Sequence, residues 1–263
     1  MNETAWRMGI FAGLLVLFCV LEAIFPRRKR IARRLVRWRT NMVMVIISTL
    51  SLRLLGPLLA IGVAAWASVE HIGLFNLTDW PLWIEIPLAF IALDFAIYVQ
   101  HVISHRVPLF WRFHKVHHTD RDLDASSALR FHPVEILASM IYKCGLIFII
   151  GPAGLTVLIF EIALNGSAMF NHANLHLPLG LDKILRRLIV TPDMHRVHHS
   201  VIKGETNSNY GFNFSIWDRL FRTYRAQPKA GHDGMTIGLR EYQTNDPEKL
   251  WWSLKLPFAK SKK

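Results

Sequence analysis

The chain alternates between long apolar runs and polar stretches, and the runs predict helices. Met8 to Phe25 is apolar enough to span a bilayer. Asn41 to Ser68 is a second apolar stretch, interrupted by Arg53 and by Gly56-Pro57. That predicts a kinked helix whose arginine snorkels or pairs. Leu82 to Gln100 is a third run. Ile136 to Ile150 and Ala153 to Phe170 are separated by Gly151-Pro152. Each is short for a full crossing, so the expectation is a hairpin that dips into the bilayer and returns. Trp66, Trp80 and Trp83 fit an aromatic belt at the outer surface. Arg106 to Glu135 and Leu177 to Lys263 hold no span. Within them FWRFHKVHHTD reads as a helix, and RDLDASSALRFHP as a loop before a helix begun by Pro133. LDKILRRLIV reads as a short amphipathic helix lying on the membrane. NSNYGFNFSIWDRLFRTYR reads as a turn and a helix, and AKSKK as a solvated tail.

Composition and charge sharpen this picture. The 263 residues are 52% hydrophobic, with a mean hydropathy of +0.25, too apolar for an ordinary soluble domain of this length. The formal charge is +12 but unevenly placed: Arg27 to Arg39 holds eight Lys or Arg and no acid. Such a block can bind nucleic acid. Its position directly after an apolar span instead marks a cytoplasmic juxtamembrane segment, with the short N-terminus outside. The first run is read as a retained span, because its basic cluster follows it and no small-residue cleavage site does. Cys19 and Cys144 both lie in apolar segments, so neither a disulfide framework nor a thiolate metal site is expected. The expected division is 1–81 for the first membrane segments and their basic loop, 82–224 for spans plus a cap, and 225–263 for a C-terminal cytoplasmic tail.

The candidate chemistry lies in histidine. Ten of the thirteen histidines fall in four boxes. His101 and His105 form HVISH; His114, His117 and His118 form HKVHH; His172 and His176 form HANLH; His195, His198 and His199 form HRVHH. On a helix, positions i, i+3 and i+4 share a face, so each box stacks its imidazoles on one side. Ten imidazoles exceed what one tetrahedral zinc uses and suit two metals with about five nitrogens each. The positive-inside assignment places all four boxes at the cytoplasmic membrane surface. The expected fold is therefore all-α: an integral membrane bundle with a histidine-rich cap holding a dinuclear metal site. Asp94 lies on the helical arc of His101 and His105 and is expected to orient a ligand histidine. Glu161 and Asn165 lie near the arc of His172 and His176, as supporting or substrate-pocket residues. His132, outside the pattern, is read as a structural hydrogen-bonder.

A metal pair at the mouth of an apolar bundle points to dioxygen chemistry on a lipid reached sideways from the bilayer. The four boxes, with TPDMHRVHHS and ETNSNYGFNFSIWDRLF, resemble the fatty acid hydroxylase/sterol desaturase superfamily over roughly 82–224. They resemble its bacterial members and its ether-lipid-cleaving alkylglycerol monooxygenases. The resemblance implies a non-haem centre of two iron ions, for which zinc can substitute in purified protein, with the ten boxed histidines as ligands. It also implies O2, a hydrophobic lipid substrate such as a sterol, fatty-acyl or ether lipid, and an external electron donor: a b-type cytochrome, ferredoxin or reduced pteridine. Hydroxylation is the expected reaction and desaturation its close rival; a bacterial inner membrane is the expected location. The first box has three intervening residues where fatty acid 2-hydroxylases have four, and no haem domain is read at either end. The rival reading of another class is a non-enzymatic metal-binding or transport protein, whose ionisable ligands would sit near the bilayer midplane.

Overall fold

The structure, a computed structural model, describes residues 3–56 and 59–259. The chain runs through α1 (Glu3–Ile24), α2 (Arg34–Arg53), α3 (Ala60–Val69), α4 (Leu82–Arg106), α5 (Pro108–His118), α6 (Pro133–Ile150) and α7 (Gly154–His172). Shorter helices follow: α8 (Leu179–Leu185), α9 (Pro192–His198), α10 (Lys203–Thr206), α11 (Ile216–Leu220), α12 (Gly231–Gly234) and α13 (Leu250–Lys255). Among the described residues the architecture is all-helical, apart from isolated bridges. Four helices among the described residues, α1, α4, α6 and α7, are long and apolar enough to cross a membrane. The protein is an integral membrane protein.

The last two of these correct the expectation of a dipping hairpin. α6 has 18 residues and α7 has 19, about 27–29 Å at the helical rise, which matches a hydrocarbon core. The apolar runs read short because each helix extends into polar residues at one end, Pro133–Glu135 in α6 and Asn171–His172 in α7. Pro133 opens α6 at its first turn, and the His132 ring accepts from Val134 N–H, which bears out the structural role read for His132. Gly151 closes α6 in the left-handed conformation. Gly73, also at positive φ, lies against it so closely that a Cβ on Gly73 would come within 2.5 Å of the Gly151 backbone. Glu85, in the first turn of α4, accepts from Ala153 N–H at 2.7 Å and Thr156 Oγ1 at 2.8 Å. It thus caps the start of α7, which satisfies polar groups that lipid cannot.

At this end Ala60, Val63 and Ala64 of α3 pack with Leu93, Ile97, Ile147, Val157 and Phe160 of α4, α6 and α7. The predicted kink near Arg53 is a true break: α2 ends at Arg53 and α3 begins at Ala60. Arg53 is exposed in the last turn of α2, where a cation complements the helix dipole. Pro57, part of the predicted break, lies outside the described residues.

The opposite end carries the cap, and part of the basic block is consumed in building it. Arg37 is 1% exposed and makes a bidentate pair with Asp120, both bonds at 2.7 Å. It also donates to Asp124 Oδ2 at 2.8 Å and the Asp122 carbonyl at 2.6 Å. Those acids hold the guanidinium well above its usual range, and Arg37 holds the Asp120 carboxyl below its own. Arg27 reaches Asp193 and Asp233, and Arg28 reaches the carbonyls of His232 and Met235. Lys29, Arg33 and Arg39 remain exposed. Residues 225–259, read as a tail, pack back: Met235, Ile237 and Leu256 are buried, and Arg130 ties Pro247 O and Ser253 Oγ to the cap. The predicted solvated tail beyond Ala259 lies outside the described residues.

Candidate metal centre

Four helices deliver the imidazoles to one place. α4 and α7 both end there, bringing His101, His105 and His172. α5 packs on α4 and α6 and brings His114, His117 and His118. α9 packs on α7 and brings His195, His198 and the following His199. Thr191 caps α9 by accepting from Met194 N–H, and Pro192 opens it.

The nine fall into two groups, each with its ligand atoms within 4.8 Å of one another: His101, His105, His114, His118 and His198; and His117, His172, His195 and His199. The groups touch, since the His118 and His199 rings stack at 4.5 Å. Each HxxHH box serves both. In HKVHH the i and i+4 residues join the first group and His117 joins the second; in HRVHH the i and i+4 residues join the second and His198 joins the first. One helical turn thus feeds two neighbouring centres, because i+3 and i+4 point about 100° apart.

His176 is not brought in. α7 ends at His172, and Ala173 is already extended, so the HxxxH spacing has no helical meaning there. Residues 174–176 run beside the exit of α1, with His176 N–H donating to Phe25 O at 2.8 Å, and the His176 side chain is exposed.

Partners on the far ring nitrogens set the tautomers. Nδ1 of His101, His172 and His198 lies 2.8, 2.7 and 2.7 Å from the carbonyls of Tyr210, Ala168 and Ser208. A carbonyl only accepts, so each Nδ1 carries the proton and each Nε2 presents a lone pair. His114 Nδ1 does the same toward Glu135 Oε1 at 2.5 Å, and His105 Nδ1 lies 3.3 Å from Asn207 Oδ1. Burial first, then neighbouring imidazoles, hold His117, His118, His195 and His199 well below the usual histidine pKa. His198 is lowered for the same reasons. Neutral imidazole is the form that binds metals.

This donor set fits two cations. The Nε2 atoms of His172 and His117 face each other at 3.0 Å, as do those of His195 and His172 at 3.1 Å and of His118 and His114 at 3.2 Å. Lone pairs so aimed would be shared by a cation held between them. His105 Nε2 and His198 Nε2 are buried with no protein partner, the unsatisfied state that a metal relieves.

Residues 86–223, more than half of the chain, match the fatty acid hydroxylase family. The chain belongs to that family. Among its relatives, ornithine lipid hydroxylase OlsE of Rhizobium tropici is 30% identical over 173 residues, 65% of this chain and 51% of that protein. Human alkylglycerol monooxygenase is 30% identical over 181 residues, 66% of this chain and 38% of that protein. The cholesterol 25-hydroxylase-like protein of Danio rerio is 23% identical over 226 residues, 83% of this chain and 88% of that protein. The chain thus spans about half or less of the first two. No solved structure matches significantly.

The predicted supporting residues act differently. Among the described residues, Asp94 accepts no hydrogen bond from a histidine. It accepts from Asn213 Nδ2 and Trp217 Nε1, both at 2.8 Å, and from the N–H groups of Asn213 and Phe214, both at 3.2 Å. It pins the loop after the fourth box to α4. Glu161 pairs with Arg7 at 2.6 Å and with Lys143, and Asn165 donates to the Glu161 carbonyl at 2.9 Å. They lie in the groove between α1 and α7, with Ile10, Phe11 and Leu14. Helical arc was the wrong guide, because residues two or three turns apart sit about 10–16 Å apart along the axis.

The residues that do bond to the clustered rings went unnamed in the sequence. Glu135 follows Pro133 in the first turn of α6, and its only signal was an acid near a helix start. The loop 207–213 supplies Asn207 Oδ1 and the Ser208 and Tyr210 carbonyls, and Asp218 holds it by accepting from Tyr210 and Gly211 N–H at 2.8 Å each. A Cβ on Gly211 would meet Phe214 O at 2.7 Å and Asp218 Oδ2 at 2.8 Å. Asn209, at φ +53°, ties the loop to Met194 O and Arg225 O at 2.8 Å each.

Proposed function

We propose that this chain is a membrane-bound oxidoreductase that hydroxylates a C–H bond of a lipid, using two iron ions, O2 and an external electron donor. The observation that carries the reading is the convergence of nine imidazoles in two touching groups where the bundle meets its cap. His101, His105, His114, His118 and His198 would hold one ion; His117, His172, His195 and His199 the other. Iron so bound supplies the redox chemistry that activates dioxygen, which zinc cannot. Overall, one oxygen atom enters the C–H bond and the other leaves as water, with two electrons and two protons drawn through the donor.

The chain's own residues position and protect this chemistry. The carbonyls of Ala168, Ser208 and Tyr210 and the Glu135 carboxylate keep the ligand rings in one tautomer. Burial of the imidazoles keeps bulk water out of the site. Residues 82–224 would carry the reaction, with 1–81 and 225–263 as supports. Exposed Lys29, Arg33 and Arg39 near the site end favour a cytoplasmic orientation. Ligands gathered at one end of the bundle, rather than midway, favour an enzyme over a transporter.

The test has two parts. Metal analysis of purified protein is expected to find close to two irons per chain; a single zinc and nothing else would overturn the proposal. Lipid mass spectrometry of a host with and without the gene is expected to find a lipid heavier by one oxygen. Loss of two hydrogens would convert the reading to desaturation.

A further inference from the structure

Two of the cap's helices are built inside out. α8 buries its ion pair, Asp182 with Arg186, and exposes Leu179 and Ile184, 70% and 64% accessible. α11 buries Asp218 completely and exposes Ile216 and Leu220, 53% and 64% accessible. A helix facing water does the reverse. The polar groups turned inward are satisfied there: Asp182 accepts from Thr191 Oγ1 at 2.6 Å, and Asp218 takes the loop N–H groups described above. The inversion is therefore built in, and the outer faces require an apolar medium.

The two faces form one surface that continues into the bundle. Ser215 N–H donates to Leu188 O at 3.0 Å, Ser215 Oγ to Arg186 O at 2.7 Å, and Arg219 Nη2 to Arg186 O at 2.6 Å, which joins α8 to α11. Trp217 and Phe221 pack on Phe95 of α4 at 4.9 and 5.6 Å, and Phe221 on Tyr98 at 5.5 Å. The α8–α11 face thus abuts a helix long and apolar enough to cross the bilayer.

Charge identifies the occupant. Between Leu179 and Tyr224 all four acids, Asp182, Asp193, Glu205 and Asp218, are buried. The exposed ionic groups of that segment are cations: Lys183, Arg187, Lys203, Arg219 and Arg222. An apolar face on a segment that exposes cations and buries its acids fits a leaflet with anionic headgroups.

We propose that α8 and α11 form a pad that sinks into the leaflet beside α4, with Lys183, Arg187 and Arg222 gripping anionic lipid headgroups. The pad would hold the cap down on the membrane, so that a lipid reaches the site without crossing water. A face buried in lipid differs from one covered by protein in which small molecules can reach it.

The experiment places a nitroxide at Ile184→Cys or Leu220→Cys, in a Cys19→Ser/Cys144→Ser background, with the full chain in nanodiscs containing phosphatidylglycerol. Apolar O2 is expected to relax both labels more than water-soluble nickel chelate does, and a label at Lys229→Cys is expected to show the opposite. Nickel-dominated relaxation at Ile184 and Leu220 would overturn the proposal. So would low accessibility to both agents, with or without dipolar broadening between labels: broadening would mark a second copy of the chain, its absence a covering protein segment. In the same discs, spin-labelled phosphatidylglycerol is expected to be held at the protein more than phosphatidylcholine. Replacing any one of Lys183, Arg187 and Arg222 by Gln should cut that preference about fivefold; an unchanged preference in all three variants would refute the headgroup grip. None of these measurements reads turnover, so they stand whatever the metal.

Discussion

Nδ1 of His114, on α5, lies 2.5 Å from Oε1 of Glu135, in the first turn of α6. The carboxylate fixes the ring and leaves Nε2 aimed at its neighbours in the first histidine group. Glu135→Gln keeps the shape but loses the charge, so metal affinity at that group should fall about 10- to 100-fold. Metal titration followed by elemental analysis checks this, and unchanged affinity would remove Glu135 from the site.

His176 and His117 make a contrasting pair. His176→Ala should leave metal content and product formation unchanged, since that side chain is exposed and outside both groups. His117→Ala should abolish product while the protein stays in the membrane. Equal loss in both variants, measured by metal content and lipid mass, would mean that HANLH supplies two ligands after all.

Asp94→Asn tests whether that acid serves the metals or the fold. It braces Asn213, Phe214 and Trp217, so the substitution should cost about 1–3 kcal/mol through weakened hydrogen bonds to a charged group. A lower thermal midpoint with metal content still near two per chain is the expected result.

Arg37→Met should be among the more damaging substitutions in the cap. It leaves Asp120 and Asp124, both buried, without their partner. Removing one side of such a cluster costs about 3–5 kcal/mol. Chemical denaturation in detergent measures it, and the double variant with Asp120→Asn should recover part of the loss.

Chelation should lower the thermal midpoint, and ferrous iron should restore it. Facing lone pairs, such as those of His117 and His172 at 3.0 Å, are stabilised by a cation bound to the folded chain alone. An identical midpoint with and without metal would argue against the site.

Much of the site was legible before any fold was known. HVISH, HKVHH and HRVHH carry their meaning in local spacing, and a helix honours that spacing wherever it packs. In HANLH only His172 joins a group, because its helix stops there and no residue in the box announces the stop. Asp94 and Glu161 bond elsewhere than to the rings, because a shared arc says nothing of distance along the axis. Glu135, Asn207 and the loop carbonyls were unreadable because they reach the rings across more than one element.

By itself the sequence determined that this chain is a helical membrane protein with histidine boxes spaced for metals, since apolar run length and helical periodicity are local properties. Only tertiary structure decided that HKVHH and HRVHH each divide between two groups, that His176 stays out, that Arg37 points inward, and that α8 and α11 turn their apolar faces outward. Those outcomes depend on which surfaces distant segments present to one another, and packing between distant segments leaves no periodic trace in the chain.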